Sequence, residues 1–128
     1  VKLLVDTHLL LWAAANADTL PREAETLILD AANDLYFSAA SIWEVAIKSG
    51  LGREDFRTDP NALRRGLLDN GYKELPINAA NAAAVAQLPA IHKDPFDRML
   101  VAQATAEGFV LLTADAAVAG YPGPIRVV

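Results

Sequence analysis

Four acidic side chains fall in four separate segments, each at a position suited to chemistry. Asp6 stands directly after the apolar run KLLV (2–5), and Asp115 lies two residues past Thr113, at the end of VLLT. Glu44 lies in ASIWEVAIKSG, where Ser41, Glu44 and Lys48 at i, i+3 and i+7 form one narrow polar stripe. The remaining positions from 42 to 47 are apolar, so that helix is largely buried and its stripe faces a cleft. HKDPFDRML (92–100) holds two acids. Asp94-Pro95 reads as a helix cap followed by a first-turn proline. Asp97 then shares a helical stripe with Val101 and Ala104, which directs it inward.

If Asp6, Glu44, Asp97 and Asp115 meet, their carboxylates repel, and protons or a cation must intervene. Hard divalent ions such as Mg²⁺ take oxygen ligands, commonly one or two carboxylates together with phosphate oxygens. Such an ion polarises a phosphoryl group and lowers the pKa of water, the chemistry of metal-dependent nucleases. Thr7 and Thr113 supply hydroxyls able to orient carboxylates from behind, and Lys48 and Arg98 are the basic side chains expected beside them. Each acid also has a plainer account. Asp6 can cap a helix over 7–15, Asp115 can cap AAVAG, and Glu44 with Lys48 can be a surface pair worth a few tenths of a kcal/mol. His8 and His92 are isolated and read as surface or packing residues. Zinc-type Cys/His spacing, a phosphate-binding glycine loop and a G-x-S-x-G elbow are all absent.

The positioning elements follow from the apolar pattern. KLLV (2–5), LYFS (35–38), FVLLT (109–113) and IRVV (125–128) are short continuous apolar runs, with YKELP (72–76) a weaker fifth. Runs of this kind suit strands covered on both faces, as in a parallel sheet. Helices are expected over 7–15, 20–32, 40–50, 59–70, 78–88 and 94–107, from their caps, prolines and terminal glycines. Strands alternating with helices predict one α/β domain over 1–128, a sandwich around a mainly parallel sheet of four to five strands. In an open α/β sheet, ligands bind beyond the carboxyl ends of the strands, which places Asp6 and Asp115 on the same edge.

The bulk properties narrow the class. A chain of 128 residues with 53% hydrophobic side chains and mean hydropathy of +0.21 buries a core without staples. Net charge of −5 and a pI near 4.8 argue against a general nucleic-acid binder. The basic side chains nevertheless concentrate in 48–73, at Lys48, Arg53, Arg57, Arg64, Arg65 and Lys73, a cluster a solvated helix surface would also explain. VKLLVDTHLLLWAAA has an acid in its middle and only Lys2 before it, so it reads as a strand and helix, not a targeting segment. No apolar run approaches the roughly 18 to 20 residues of a membrane span. The absence of cysteine is compatible with the cytoplasm.

LLVDTH, SIWEVAIKSGLG, HKDPFDRMLVAQA and LLTAD, in that order, resemble the motifs of PIN domains, and most closely the VapC toxins of bacterial type II toxin–antitoxin modules. The resemblance covers nearly the whole chain. It implies a PIN-like α/β/α sandwich and an endoribonuclease whose acidic cluster binds Mg²⁺ or Mn²⁺. Asp6 would be the first-strand acid, Glu44 the helix acid, Asp97 in FDR the third and Asp115 in TAD the fourth. The resemblance also implies a homodimer, an RNA substrate and a VapB-type antitoxin laying a peptide across the active-site groove. Leu9, Trp12, Trp43 and Ile47 are the expected apolar residues of that groove or of a dimer contact, because the helices 7–15 and 40–50 carry more apolar surface than one sheet face covers.

Three other readings share some of these features. A receiver-like signalling domain is α/β, acidic and Mg²⁺-binding, but it needs an acidic pair after the first strand and a lysine near the end. Here Asp6 is single and no lysine follows Lys93. A ribonuclease H-like nuclease would open with a β-meander, whereas a helix is expected after the first strand here. A non-catalytic binding module would use its acids only as caps and show no response to Mg²⁺ or Mn²⁺.

Overall fold

The computed structural model describes residues 1–128. Its five strands are β1 (Lys2–Val5), β2 (Asp34–Ser38), β3 (Lys73–Leu75), β4 (Val110–Thr113) and β5 (Ile125–Val127). They form one all-parallel sheet in the order β3-β2-β1-β4-β5, with Leu3 beside Leu35 on one side and Val110 on the other. The helices are α1 (Thr7–Ala14), α2 (Arg22–Leu29), α3 (Ala39–Gly50), α4 (Pro60–Asp69), α5 (Ala79–Ala84) and α6 (Pro95–Glu107), with short 3₁₀ turns at Glu54–Phe56, Val85–Gln87 and Val118–Gly120. The sheet is wholly parallel, which removes the β-meander of the ribonuclease H-like reading. Its order also differs from the 2-1-3-4-5 order of receiver domains.

Strand alternation divides the core. Val5, Phe37 and Leu112 face one side, where Leu9, Leu10, Phe56, Leu63 and Leu67 cover them. Leu4 and Leu111 face the other, against Leu100, Val101, Ala104 and Val118. Continuous apolar runs are therefore what these strands need, since both faces are dry. The same packing corrects one groove residue. Leu9 is fully buried in the first core cluster, because α4 and the Glu54–Phe56 turn cover the apolar surface of α1 that the sheet leaves over.

Helix boundaries follow local chemistry. Asp94 accepts from the backbone N–H groups of Phe96 (2.8 Å) and Asp97 (3.3 Å) with Pro95 in the first turn, and α6 ends at Gly108, whose φ of 76° is left-handed. The helix expected over 20–32 is shorter. The Asp30 side chain accepts from Ala32 N–H at 2.9 Å, an Asx turn that stops α2 at Leu29. The helix expected over 78–88 gives way after Ala84 to the 3₁₀ turn Val85–Gln87. No helix is long and apolar enough to cross a membrane.

The chain builds β1, β2 and β3 outward in one direction, then returns to place β4 on the other side of β1. The crevice of such a sheet opens at this reversal, beyond the carboxyl ends of β1 and β4. Asp6 and Asp115 follow those two strands.

Candidate metal centre

Asp6 is the N-cap of α1 and is only 6% exposed. Its Oδ1 accepts from Leu9 N–H at 3.0 Å, and its Oδ2 accepts from the Thr113 hydroxyl. The capping account and the cluster account thus hold together: one oxygen caps while the other faces β4. Burial pushes the Asp6 carboxyl above its ordinary pKa, against the pull of Thr113 and Leu9.

Glu44 is 2% exposed and Ser41 fully buried, so the polar stripe of α3 faces inward as expected; the helix is not buried all round, because Trp43 and Ile47 on its other side face solvent. Its Oε1 accepts from the Thr7 hydroxyl at 2.6 Å, and Thr7 Oγ1 also lies 2.9 Å from Ser41 Oγ. Its Oε2 lies 2.5 Å from Lys48 Nζ, which reaches Asp94 Oδ2 at 3.1 Å. Thr7, Thr113 and Lys48 therefore stand behind or beside the carboxylates, where the sequence places them.

Asp97, like Asp6, has a raised pKa. Burial comes first, the carboxylates of Asp94, Glu44 and Asp6 add to it, and His92 opposes, leaving the pKa raised to about 7. At Asp94 burial also acts against ionisation, but the Lys48 ammonium and the α6 N–H groups outweigh it and hold the carboxyl below its ordinary range. Asp94 is thus more than a cap. Through Lys48 it belongs to the same electrostatic cluster.

Asp115 lies at the rim. Its backbone N–H donates to Thr113 Oγ1 at 3.0 Å, and its Oδ1 accepts from Ala117 N–H at 2.9 Å. His92, read from sequence as isolated, is drawn in: its Nε2 is 3.0 Å from Asp97 Oδ2 and 3.7 Å from Asp115 Oδ2. One donor atom each from His92, Asp97 and Asp115 lie within 4.8 Å of one another, a spacing a single cation could bridge. His92 comes from a loop distant in sequence from β4, so no local pattern exposes this meeting. His8 instead pairs with Asp55 at 3.2 Å and packs against Phe56 and Trp12.

Arg98, expected beside the carboxylates, turns the other way. Its guanidinium donates to the carbonyls of Pro89 (2.9 Å) and Val85 (3.1 Å) and to Tyr121 Oη (3.1 Å). Tyr121 Oη in turn bonds the backbone N–H and carbonyl of His92, so Arg98 anchors the loop that carries His92. The helical period explains the miss: one residue past Asp97 is a turn of about 100°. Of the expected groove residues, Trp12 is half-buried against the first core cluster. Trp43 (58% exposed) and Ile47 (45%) do face solvent, on the side of α3 where Trp43 meets Phe96 edge-on at 5.1 Å. A separate cavity of about 350 Å³ lies away from the acids, lined by residues including Ile28, Leu35, Leu67 and Tyr72.

An all-parallel sheet with carboxylates gathered at its reversal point defines a class of acid-cluster α/β domains. The PIN domain family model matches residues 3–123, and the chain belongs to that family. No curated protein matches it by sequence. Among solved structures, VapBC2 from Rickettsia felis, bound to a DNA fragment from its promoter, is similar in fold at 13% identity and a TM-score of 0.71, covering 99% of this chain and 98% of that one. DNA-bound VapBC from Salmonella typhimurium is similar at 18% identity and a TM-score of 0.67, covering 100% and 97%. VapBC-1 from nontypeable Haemophilus influenzae is similar at 16% identity and a TM-score of 0.63, covering 99% and 98%.

Proposed function

We propose that this chain is a divalent-metal-dependent endoribonuclease, acting as the toxin of a type II toxin–antitoxin pair. The observation that carries the reading is the crowding at Asp97: its half-buried carboxylate lies within 4.8 Å of donor atoms from His92 and Asp115, and burial with the charges of Asp94, Glu44 and Asp6 raises its pKa to about 7. So costly an arrangement is relieved by a cation. Asp6, Asp97 and Asp115 would hold the ion, with Glu44 beside them, and their oxygen donors suit Mg²⁺ or Mn²⁺. His92 adds a nitrogen donor that favours Mn²⁺ of the two. When bound, the ion supplies positive charge to a phosphodiester and acidifies water.

The chain's own residues prepare that site. Thr113 and the Leu9 N–H fix the two oxygens of Asp6, and Thr7 fixes one oxygen of Glu44. Held this way, the carboxylates have little freedom left to lose when a cation or phosphate arrives. Arg98 and Tyr121 hold His92 against Asp97 and Asp115. The exposed Trp43 and Ile47 give a protein partner an apolar foothold beside the acids, and the fold shared with VapBC proteins supports a VapB-type antitoxin in that role. RNA as substrate, a homodimer and a cytoplasmic site of action belong to the same reading.

Expression in a bacterial host tests it. Discrete new RNA ends and arrested growth are expected, both relieved by co-expressing the neighbouring upstream reading frame. Soluble protein that produces no new RNA ends would count against the proposal.

A further inference from the structure

Lys48 is held in a manner that a surface ion pair does not require. Its ammonium lies 2.5 Å from Glu44 Oε2 on its own helix and 3.1 Å from Asp94 Oδ2 on α6. The rings of Phe56 and Phe96 flank it, with centroids 4.9 and 5.5 Å away. Its side chain is only 12% exposed. A solvated lysine swings freely and gains little from such a pair. Here two carboxylates from different helices and two aromatic faces confine one positive charge.

Asp97 feels the charges of Asp6, Glu44 and Asp94 and meets Asp115 through His92, and Lys48 enters this cluster at Glu44 and Asp94. The oxygens it takes, Glu44 Oε2 and Asp94 Oδ2, are hard donors of the type a divalent cation would also take. Two-metal nucleases place a second ion about 3.5 to 4 Å from the first, bound by carboxylates of the same cluster. In this chain an ammonium already sits on the Glu44 and Asp94 side.

We propose that Lys48 is a built-in second cation: the chain binds one divalent ion, on the Asp6, Asp97 and Asp115 side, and Lys48 keeps a second from binding between Glu44 and Asp94. The inference rests on the metal-dependent reading of the same site. It deepens that reading by stating how many ions the site takes and which side chain limits them.

Mn²⁺ binding to the purified full chain without RNA tests it, by calorimetric stoichiometry and by electron paramagnetic resonance for spin-coupled ion pairs. Wild type should take one Mn²⁺ with no coupled signal, and Lys48→Arg should do the same. Lys48→Met, which keeps the length and removes the charge, should take two and show coupling, with Lys48→Gln as a second neutral variant. Wild type binding two ions would overturn the inference whatever the variants do, as would a folded Lys48→Met that still binds one. Wild type binding none would overturn the metal-dependent reading itself, a failure distinct from both.

Discussion

Asp94 and Asp97 sit three residues apart at the start of α6, and the protein drives their acidities in opposite directions. Burial opposes ionisation at both. Lys48 and two backbone N–H groups reverse that effect at Asp94, while three neighbouring carboxylates deepen it at Asp97. One acid builds the helix start and takes Lys48 as its partner; the other is placed by it among further carboxylates, with the His92 ring beside it.

The first prediction contrasts the two. Asp97→Asn should raise the melting temperature of the metal-free protein by removing repulsion, and should abolish the rise that Mn²⁺ causes in wild type. Asp94→Asn keeps the cap, because asparagine caps as well as aspartate, but loses the Lys48 pair. It should lower the metal-free melting temperature slightly and still respond to Mn²⁺. Melting curves with and without the ion measure both. A metal-free protein clearly destabilised by Asp97→Asn would contradict the account.

The second prediction concerns pH. Asp97 and Asp6 have raised folded-state pKa values, so the native chain holds their protons more tightly than the unfolded chain. The contribution of Asp97 to stability is full below the ordinary value of 3.8 and is lost as pH rises through about 7, and Asp6 acts in the same direction. Asp94, with a lowered pKa, acts in the other window: its contribution is present above 3.8 and is lost as pH falls below it. The metal-free protein should therefore melt at falling temperatures between about pH 4 and pH 7. Saturating Mn²⁺ should flatten the slope, and Asp97→Asn should reduce it. An identical slope in wild type and Asp97→Asn would exclude Asp97 as its source.

Much of this was legible in the sequence, and the failures share one cause. Continuous apolar runs announced a parallel sheet, and the Ser41, Glu44 and Lys48 stripe announced a buried glutamate; both signals repeat within one element. His92 and Arg98 escape a sequence reading because their roles depend on a loop meeting Asp115 and Tyr121, a tertiary contact with no local period. Leu9 was misplaced for a similar reason, since only the folded positions of α4 and Phe56 show that the apolar surplus of α1 is covered.

The third prediction addresses support for the carboxylates. Thr113→Val keeps the shape of the residue but removes the hydroxyl that Asp6 Oδ2 accepts from. Partners behind metal ligands typically contribute roughly 10- to 100-fold in metal affinity or activity. A loss of that size in Mn²⁺ affinity, measured by calorimetry with the fold intact, is expected. Unchanged affinity would show that Asp6 needs no such support.

The fourth prediction separates Arg98 from the site. Arg98→Met takes the donor from the part-buried carbonyl of Val85, a loss that costs about 1 to 3 kcal/mol, whereas the exposed Pro89 carbonyl can turn to water. Chemical denaturation should register the loss. The NMR signals of His92 should broaden as its loop is released, while Mn²⁺ binding should weaken but persist. Full stability in Arg98→Met would remove its anchoring role.

The central claim is that these carboxylates hold a divalent cation and use it to cut RNA. Its most direct test is cleavage of a long, mixed-sequence RNA by pure protein, with products mapped at nucleotide resolution. Wild type with Mn²⁺ or Mg²⁺ should cut at discrete internal positions; EDTA, Asp6→Asn and Asp97→Asn should each eliminate those cuts. The same cleavage pattern from Asp97→Asn, or from wild type in EDTA, would contradict the account.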